Sequence, residues 1–171
     1  MYLEHYDLSG RVAVVTGGGR GIGREIATAL AEAGAAIVIA EIAPCTGEAA
    51  AQALRDAGKG AEFVQLDVTR PQDVERAASA IHARHGRIAI LVANAGVALN
   101  TPAEDISDEE WRRVVDLNLD GVFWCNRAFG RHMLQAGRGS IVNVGSMSGI
   151  ISNKPQPQAH YNATPRPRCT C

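Results

Sequence analysis

The chain has 171 residues, of which 46% are hydrophobic and 20% are charged, with a formal net charge of -1 at pH 7. This length suits one buried core and is too short for two ordinary domains, and the near-neutral charge argues against nucleic acid or an anionic membrane as the main partner. No apolar run reaches membrane-spanning length and the first residues lack the features of a signal peptide, so we expect a cytoplasmic protein.

The cysteines and histidines predict neither a disulfide framework nor a metal site. The cysteines are too few and too scattered for a framework, and the pair Cys169 and Cys171 has no second ligand pair at a matching spacing. We place His82 and His85 on a polar face of a predicted helix. No metal is therefore expected.

The first predicted element is a strand over 11–16, which runs into a glycine-rich turn and then into a helix. Ile22, Ile26 and Leu30 recur at helical spacing, and Gly34 is placed to end that helix. Glycines let the backbone turn sharply and approach a ligand closely, while free N–H groups at the start of the helix point at whatever lies there. The junction therefore predicts an anion site suited to a pyrophosphate.

The glycine spacing needs support from its context. Gly17, Gly21 and Gly23 form G-x-x-x-G-x-G, whereas the commoner dinucleotide fingerprint is G-x-G-x-x-G. A glycine-rich turn without a phosphate is the alternative interpretation. The context favours a cofactor because the next apolar strand, over 36–41, ends at Glu41, close to where an acid contacts the adenosine ribose in such folds. An exposed loop carboxylate is the alternative for Glu41.

Strands and helices alternate along the rest of the chain. This alternation implies parallel pairing through right-handed crossovers, and hence an α/β fold with a doubly wound parallel sheet of the Rossmann type. The later predicted elements are a helix over 46–57, a strand over 61–66, a helix from a capping box at 69–72 to about 85, a strand over 88–93, a helix from a capping box at 107–110, a long helix closing at 137 and a strand over 140–144.

The run Thr16-Gly-Gly-Gly-Arg-Gly-Ile-Gly23 resembles the cofactor motif of the short-chain dehydrogenase/reductase family, and the resemblance extends along nearly the whole chain. It implies that Asp67 meets the adenine amino group and that Asn94-Ala95-Gly96 runs beside the cofactor. A loop cap and a plain turn are the respective alternatives. The implied cofactor-binding set is Thr16, Gly17, Arg20, Gly21, Ile22, Gly23, Glu41, Asp67, Val68, Asn94, Ala95 and Gly96.

Glu41 favours NAD over NADP as the cofactor. Its carboxylate would accept hydrogen bonds from the ribose hydroxyls and repel a 2′-phosphate. Arg20 favours NADP instead, because in this family a basic residue just before the glycine at position 21 can accompany NADP. We therefore expect NAD, with NADP as the less favoured cofactor.

Three positions resemble members of the family's catalytic tetrad. The resemblance implies that Asn118 bends its helix and holds a water in a proton relay, and that Ser146 hydrogen-bonds the substrate oxygen, with Ser148 as a nearby competitor. It further implies that Tyr161 exchanges a proton with that oxygen while hydride moves at the nicotinamide. A buried asparagine satisfied by backbone is the alternative for Asn118.

The same region resembles one branch of the family. The run that starts Ser146-Met-Ser-Gly-Ile-Ile and the fifteen-residue step from Ser146 to Tyr161 look like the polyol and sugar-alcohol dehydrogenases. The implied substrate is a small secondary alcohol or ketone, and the implied assembly of the parent family is a homo-oligomer.

The family pattern breaks at position 165. A free tyrosine loses its proton only near pH ~10, and the family supplies the helping positive charge from a lysine one helical turn later. Here that position is Pro165, which carries no cation and disfavours helix at Thr164. Nothing in the sequence places Lys154, Arg166 or Arg168 as a substitute. We therefore expect negligible activity, and a noncatalytic dinucleotide-binding fragment or interaction module is the alternative function.

The last seven residues, 165–171, differ in character from the rest. GC-rich codons for them permit a shifted frame that reads Lys-Ala-Ala-Val-His-Leu, so we interpret them as an aberrant tail after an incomplete family domain over 1–164. The family sheet continues beyond strand five. We therefore expect Ile141, Val142 and Val144 on an exposed edge strand, and an aggregation-prone chain.

Overall fold

A computed structural model describes residues 5–151 and 155–164 of the chain. Their core is a five-stranded sheet in the order β3-β2-β1-β4-β5, with every neighbouring pair parallel. This confirms the α/β prediction of a doubly wound, Rossmann-type sheet. The strands are β1 Val12–Thr16, β2 Ala36–Glu41, β3 Ala61–Gln65, β4 Ile90–Ala93 and β5 Ser140–Asn143.

Helices cover both faces of the sheet because its central strands are apolar on both sides. In β1, Val14 belongs to one buried cluster and its neighbours Ala13 and Val15 to the other, as expected when successive side chains point to opposite faces. The helices are α1 Gly21–Glu32, α2 Pro44–Asp56, α3 Pro71–His85, α4 Asp108–Val115, α5 Gly121–Gln135 and α6 Ala159–Ala163. Residues of α3 and α5 pack in the first cluster, and residues of α1 and α2 pack in the second.

The strand order places a crevice beside β1. The chain moves outward from β1 to β2 and β3, and then returns to the other side of β1 with β4 and β5. Ligands of open parallel sheets bind beyond the carboxyl ends of the strands at such a reversal. The loops after β1 and β4 therefore frame the expected site.

The predicted capping box at the start of α3 is wrong. The helix begins at Pro71 after Arg70, and no side chain among the described residues caps it. The Asp67 carboxylate takes both the backbone N–H and the hydroxyl of Thr69, at 3.0 and 2.7 Å, so Thr69 belongs to the preceding loop. Proline suits the first helical position because that position needs no N–H donor.

The predicted box at the start of α4 forms only in part. The Ser107 hydroxyl accepts the Glu110 N–H at 3.1 Å, which confirms the N-cap. The Glu110 side chain contacts Thr101 and His160 instead of turning back toward the N-cap. After α4, a π-helical turn over Asp116–Asp120 leads directly into α5, so Asn118 lies at a local irregularity and not in a regular α-helix.

The placement of His82 and His85 on a polar helix face is also wrong. His82 stacks on His132 of α5 with ring centroids 4.5 Å apart, and both rings are half-buried. The half-buried His85 lies 3.1 Å from a carboxylate oxygen of Glu62. Periodicity along α3 could not reveal these contacts because their partners come from β3 and α5.

The two described cysteines lie in different surroundings. Cys125 lies in the core, where burial raises the pKa of its thiol to about 12, while Cys45 is exposed. Cys169 and Cys171 lie outside the described residues.

Within 5–151 and 155–164, no helix is long and apolar enough to cross a membrane, and no group of three or more potential metal ligands occurs.

Candidate active site

A cleft of about 920 Å³ opens at the carboxyl ends of the strands. The loops that follow β1, β2, β3, β4 and β5 all contribute to its lining, together with α6. Of the residues that the sequence analysis singled out, those on the lining are Gly17, Arg20, Gly21, Ile22, Gly23, Glu41, Asp67, Val68, Asn94, Ala95, Gly96, Asn118, Ser146 and Tyr161.

Thr16 is the exception among the predicted cofactor contacts. Its side chain is buried at 1% exposure and does not line the cleft. Its hydroxyl accepts the backbone N–H groups of Asn94 and Ala95 at 3.0 and 3.1 Å, and lies 3.4 Å from the Val92 carbonyl oxygen, to which it donates. Thr16 therefore ties β1 to the loop after β4 from beneath the cleft.

Close backbone packing shapes the glycine-rich turn. Gly17 has a φ of +63°, and a Cβ there would stand 2.9 Å from the Cα of Ala95. A Cβ on Gly23 would overlap the Gly17 carbonyl oxygen. The Asn94 amide group donates to the carbonyl oxygens of Thr16 and Gly17 at 3.0 and 3.2 Å, so the loop after β4 holds the turn in place.

The start of α1 fits an anionic group. Arg20 is the N-cap in an extended conformation, and among the described residues no side chain caps this end and no acidic residue lies in the first turn. A Cβ on Gly21 would meet no atom within 4 Å, so space is open there. Uncapped N–H groups beside open space suit the pyrophosphate of a dinucleotide.

Glu41 is held in position at the rim of the cleft. One carboxylate oxygen accepts the Gly19 N–H at 3.2 Å, and the other accepts the Ile42 N–H at 2.9 Å. The side chain is half-buried, so the alternative of a freely exposed loop carboxylate does not describe it. Its negative charge therefore stands at a defined place between the glycine-rich turn and the end of β2.

Asp67 caps its own loop and also lines the cleft. The oxygen that binds Thr69 belongs to the loop-cap arrangement, and the other oxygen lies 3.4 Å from Nε of Arg70. The neighbouring Val68 is buried and lines the same part of the cleft. The loop-cap alternative is thus present in the structure, and it orients the carboxylate at the cleft.

Asn118 bridges the loop after β4 to α6. Its amide oxygen accepts the Val97 N–H and its nitrogen donates to the Val97 carbonyl oxygen, both at 2.9 Å. The nitrogen also lies 3.4 Å from the hydroxyl of Thr164, which donates to the Tyr161 carbonyl oxygen at 3.0 Å. The predicted alternative of an asparagine satisfied by backbone therefore occurs, and one further contact leads to the helix of Tyr161.

The structure separates the two serine candidates. Ser146 lines the cleft, whereas Ser148 is buried at 8% exposure. The Ser146 hydroxyl donates to the Ser148 hydroxyl at 2.9 Å and accepts the Ser148 N–H at 3.1 Å, which orders the turn after β5. Geometry thus favours Ser146 as the hydroxyl that a ligand in the cleft can reach.

Sequence reasoning missed the contacts that hold α6 in place. The fully buried His160, next to Tyr161, has Nε2 at 2.9 Å from a carboxylate oxygen of Glu110, and the Thr101 hydroxyl donates to the same oxygen at 2.5 Å. Thr164 also lines the cleft and was not singled out. No local pattern signals His160 or Thr164, because their contacts with Glu110 and Asn118 join segments far apart in sequence.

Residue 165 and the possible substitutes Lys154, Arg166 and Arg168 lie outside the described residues. Among the described lining residues, Arg20 and Arg113 carry the positive charge of the cleft. The cleft therefore contains an anion-accepting turn, a fixed carboxylate, and three side chains that can hydrogen-bond or exchange protons.

Comparison with known proteins gives consistent matches. The family described as short chain dehydrogenase matches residues 11–164. A galactitol 2-dehydrogenase of Rhizobium johnstonii is 50% identical over 165 residues, and an L-tagatose-forming galactitol 2-dehydrogenase of Cereibacter sphaeroides is 42% identical over 163 residues. Each alignment covers 95% of this chain and 63% of the relative, so the chain spans less than two thirds of their length.

A solved structure agrees with the sequence matches. A gluconate 5-dehydrogenase from Burkholderia cenocepacia J2315, in complex with NADP and tartrate, superposes with a TM-score of 0.90 at 38% identity. The match covers 96% of this chain and 64% of that protein. The observed sheet is therefore shared along nearly the whole chain.

Proposed function

The chain belongs to the short-chain dehydrogenase family, and from this premise we propose that residues 1–164 are built for the NAD(P)-dependent interconversion of a secondary alcohol and a ketone. The observation that carries the proposal is that Asn118, Ser146 and Tyr161 line the same cleft as the glycine-rich turn. The similarity to two galactitol 2-dehydrogenases supports a sugar alcohol as the substrate class.

The proposed chemistry divides among the three side chains. The nicotinamide cofactor, when bound, supplies or accepts the hydride. The Tyr161 hydroxyl gives a proton to the substrate oxygen or takes one from it, and the Ser146 hydroxyl hydrogen-bonds that oxygen. Asn118 keeps α6, and with it Tyr161, at the cleft through its contacts with Val97 and Thr164.

The remaining cleft residues would bind the cofactor. The uncapped start of α1 would take the pyrophosphate, with Gly17 and Gly23 keeping the turn tight enough for close approach. Asp67 would meet the adenine, and Asn94-Ala95-Gly96 would line the cofactor's path. Thr16 supports this arrangement from below, through its bonds to the backbone of Asn94 and Ala95.

We propose NAD as the preferred cofactor, on the strength of Glu41. Its carboxylate is anchored by the backbone N–H groups of Gly19, Ile42 and Ala43, so it cannot swing away from a 2′-phosphate without losing those bonds. The related gluconate 5-dehydrogenase was solved in complex with NADP, so the preference of this chain for NAD has to be measured directly.

The test of this preference is the affinity for NADH and NADPH, measured by fluorescence titration. We expect tighter binding of NADH, and a smaller difference between the two cofactors in Glu41→Ala. Glu48→Ala is a suitable control because Glu48 is an exposed carboxylate that pairs with Arg55 and does not line the cleft. Tighter binding of NADPH by the unmodified chain would show that Arg20 decides the preference.

Pro165 supports a second candidate function, that of a noncatalytic dinucleotide-binding chain. Where the family resemblance implies a lysine, this sequence has a residue without a cation or a backbone donor. We propose that the 171-residue chain binds the cofactor and turns substrate over at a negligible rate.

A paired experiment separates binding from catalysis. NADH production from galactitol and other polyols is measured beside NADH affinity, with Tyr161→Phe as the matched variant that removes one hydroxyl. We expect measurable binding, negligible production, and no effect of the variant on binding. Production comparable to that of a full-length relative, and lost in Tyr161→Phe, would establish the chain as an active dehydrogenase and refute the noncatalytic candidate.

A further inference from the structure

A second pocket, of about 450 Å³, lies at the amino-terminal edge of the sheet, opposite the cleft. Three arginines line it, and each stands shortly before one of three adjacent strands: Arg11 before β1, Arg87 before β4 and Arg138 before β5. The other described residues on its lining are small: Ser9, Gly10, Ala89, Gly139 and Ser140.

The parallel register brings the three arginines together. The Ala89 N–H donates to the Val12 carbonyl oxygen at 2.9 Å, and the Ser140 N–H donates to the Ala89 carbonyl oxygen at 3.0 Å. The starts of β1, β4 and β5 are therefore level with one another. Three guanidinium groups that lie far apart in the sequence consequently share one edge and one pocket.

These charges are not neutralised by the acids nearby. Among the described residues, none of the three arginines forms an ion pair with a carboxylate, and none of the residues lining the pocket is acidic. Asp7 lies close enough to Arg11 to interact electrostatically, but its carboxylate takes the hydroxyl and N–H of Ser9, at 2.6 and 2.9 Å. The pocket therefore carries an excess of positive charge.

Arg87 is the least satisfied of the three. Its Nε is buried and has no hydrogen-bond partner among the described residues. Burial, followed by the charges of Arg138 and Arg11, lowers the pKa of its guanidinium. A cluster of like charges costs free energy, and an anion bound in the pocket would offset the repulsion among the three guanidinium groups.

We propose that Arg11, Arg87 and Arg138 form a binding site for a small oxyanion of the phosphate class, either inorganic phosphate or a phosphate monoester. A guanidinium fork matches the oxygens of phosphate in a two-bond arrangement, and three such groups suit an anion with more than one negative charge. The pocket volume leaves room for the organic part of a small ester. This site lies across the sheet from the cofactor cleft and does not depend on the proposed dehydrogenase function.

The test is a titration of the folded chain with inorganic phosphate at constant ionic strength. The chemical shifts of the backbone amides are measured by NMR at each phosphate concentration. We expect saturable shifts at Gly10, Gly139 and Ser140, and no saturation with acetate, which carries a single charge. Shifts confined to the cofactor turn at 17–23 would place phosphate at the start of α1 and overturn the proposal. Linear shifts without saturation would also overturn it.

Charge-matched variants identify the arginines responsible. Arg87→Gln and Arg138→Gln should each weaken phosphate binding about tenfold, because each removes a charge-assisted contact. Arg24→Gln, an equal loss of charge on α1 outside both pockets, should leave the affinity unchanged. Arg138 is exposed, so its variant still gives a decisive result if Arg87→Gln fails to fold. Equal affinities in wild type and Arg138→Gln would refute the proposed site.

Discussion

At position 23 the chain accepts no side chain larger than a hydrogen atom. A Cβ there would overlap the Gly17 carbonyl oxygen and stand 2.5 Å from the amide nitrogen of Asn94. The Gly17 oxygen belongs to the turn that faces the proposed pyrophosphate site, and the Asn94 side chain comes from the loop after β4 that holds this turn in place. The constraint is therefore steric and comes from two other segments, which makes the glycine a structural requirement of the binding turn.

We predict that Gly23→Ala destabilises the fold by about 1–3 kcal/mol through overpacking and weakens NADH binding. Gly130→Ala is the matched control, since Gly130 is also helical but its Cβ would meet only Ile141 Cδ1 at 3.7 Å. That control should be neutral or gain up to about 1 kcal/mol from helix propensity. Urea unfolding and NADH titration measure both effects, and a Gly23→Ala protein as stable as wild type would contradict the steric argument.

At the scale of elements, we expect the contact between α3 and α5 to respond to pH. His82 and His132 stack across it, and Glu75 lies 3.4 Å from Arg127 and 3.0 Å from Arg131. Burial, followed by the charge of His82, lowers the pKa of His132, and Glu75 only partly opposes this. The folded state therefore resists protonation of His132 more than the unfolded state does.

The sign of the pH effect follows from this difference. The unfolded histidine has a pKa near ~6.5, so the unfolded chain binds more protons once the pH drops to that region. The contribution of His132 to stability is complete above this value and is lost as the pH falls through it toward the lower folded pKa. Acidification in this range should therefore weaken the packing of α3 on α5.

We predict that the urea concentration at the midpoint of unfolding decreases when the pH is lowered from 7.5 to 5.5. The variant His132→Phe keeps a ring and removes the titrating group, so we expect a smaller decrease in that variant. His5→Gln is the control, because His5 is exposed and lies outside the α3–α5 contact. Unfolding monitored by circular dichroism at several pH values measures the slopes. An unchanged slope in His132→Phe would mean that other groups set the pH dependence.

At the scale of the whole molecule, β5 forms one edge of the described sheet. It pairs with β4, and within the described residues no strand pairs with its other side. Ile141 and Val142 are 36% and 49% exposed although their side chains point to opposite faces, so both faces of this strand are thinly covered. Exposed apolar edges pair readily with other chains.

We predict that the isolated chain aggregates and unfolds over a broad temperature range, and that Val142→Lys reduces the aggregation. Leu134→Lys is the matched control, because Leu134 is 82% exposed and lies on α5 instead of on a strand. Size-exclusion chromatography and calorimetry measure the outcome. A sharp monomer or dimer peak with a cooperative transition above about 50 °C would contradict the prediction, and relief by Leu134→Lys alone would place the association on α5.

Local patterns were sufficient to predict the elements and their order. Apolar runs, helical spacing and glycine breaks along the chain predicted five parallel strands and the turn at 17–23, and the structure has both. These predictions succeed because a strand buried on both faces needs a short apolar run, and a helix buried on one side needs apolar residues at helical spacing. Both patterns are visible within a few neighbouring residues. The predicted start of α3 differs from the observed one by a few residues, because Thr69 bonds to Asp67 in the loop instead of capping the helix.

Contacts between distant segments were decided only by the tertiary structure. The fold puts Thr16 beneath Asn94, His160 against Glu110, and Arg11 in one pocket with Arg138. None of these pairs shares a local period, because each joins strands, loops or helices that become neighbours only when the sheet and its helices assemble. The sequence by itself therefore determined the family, the layered fold and the polar residues available to the cleft, while the fold decided which side chains line the cleft and which support it from behind.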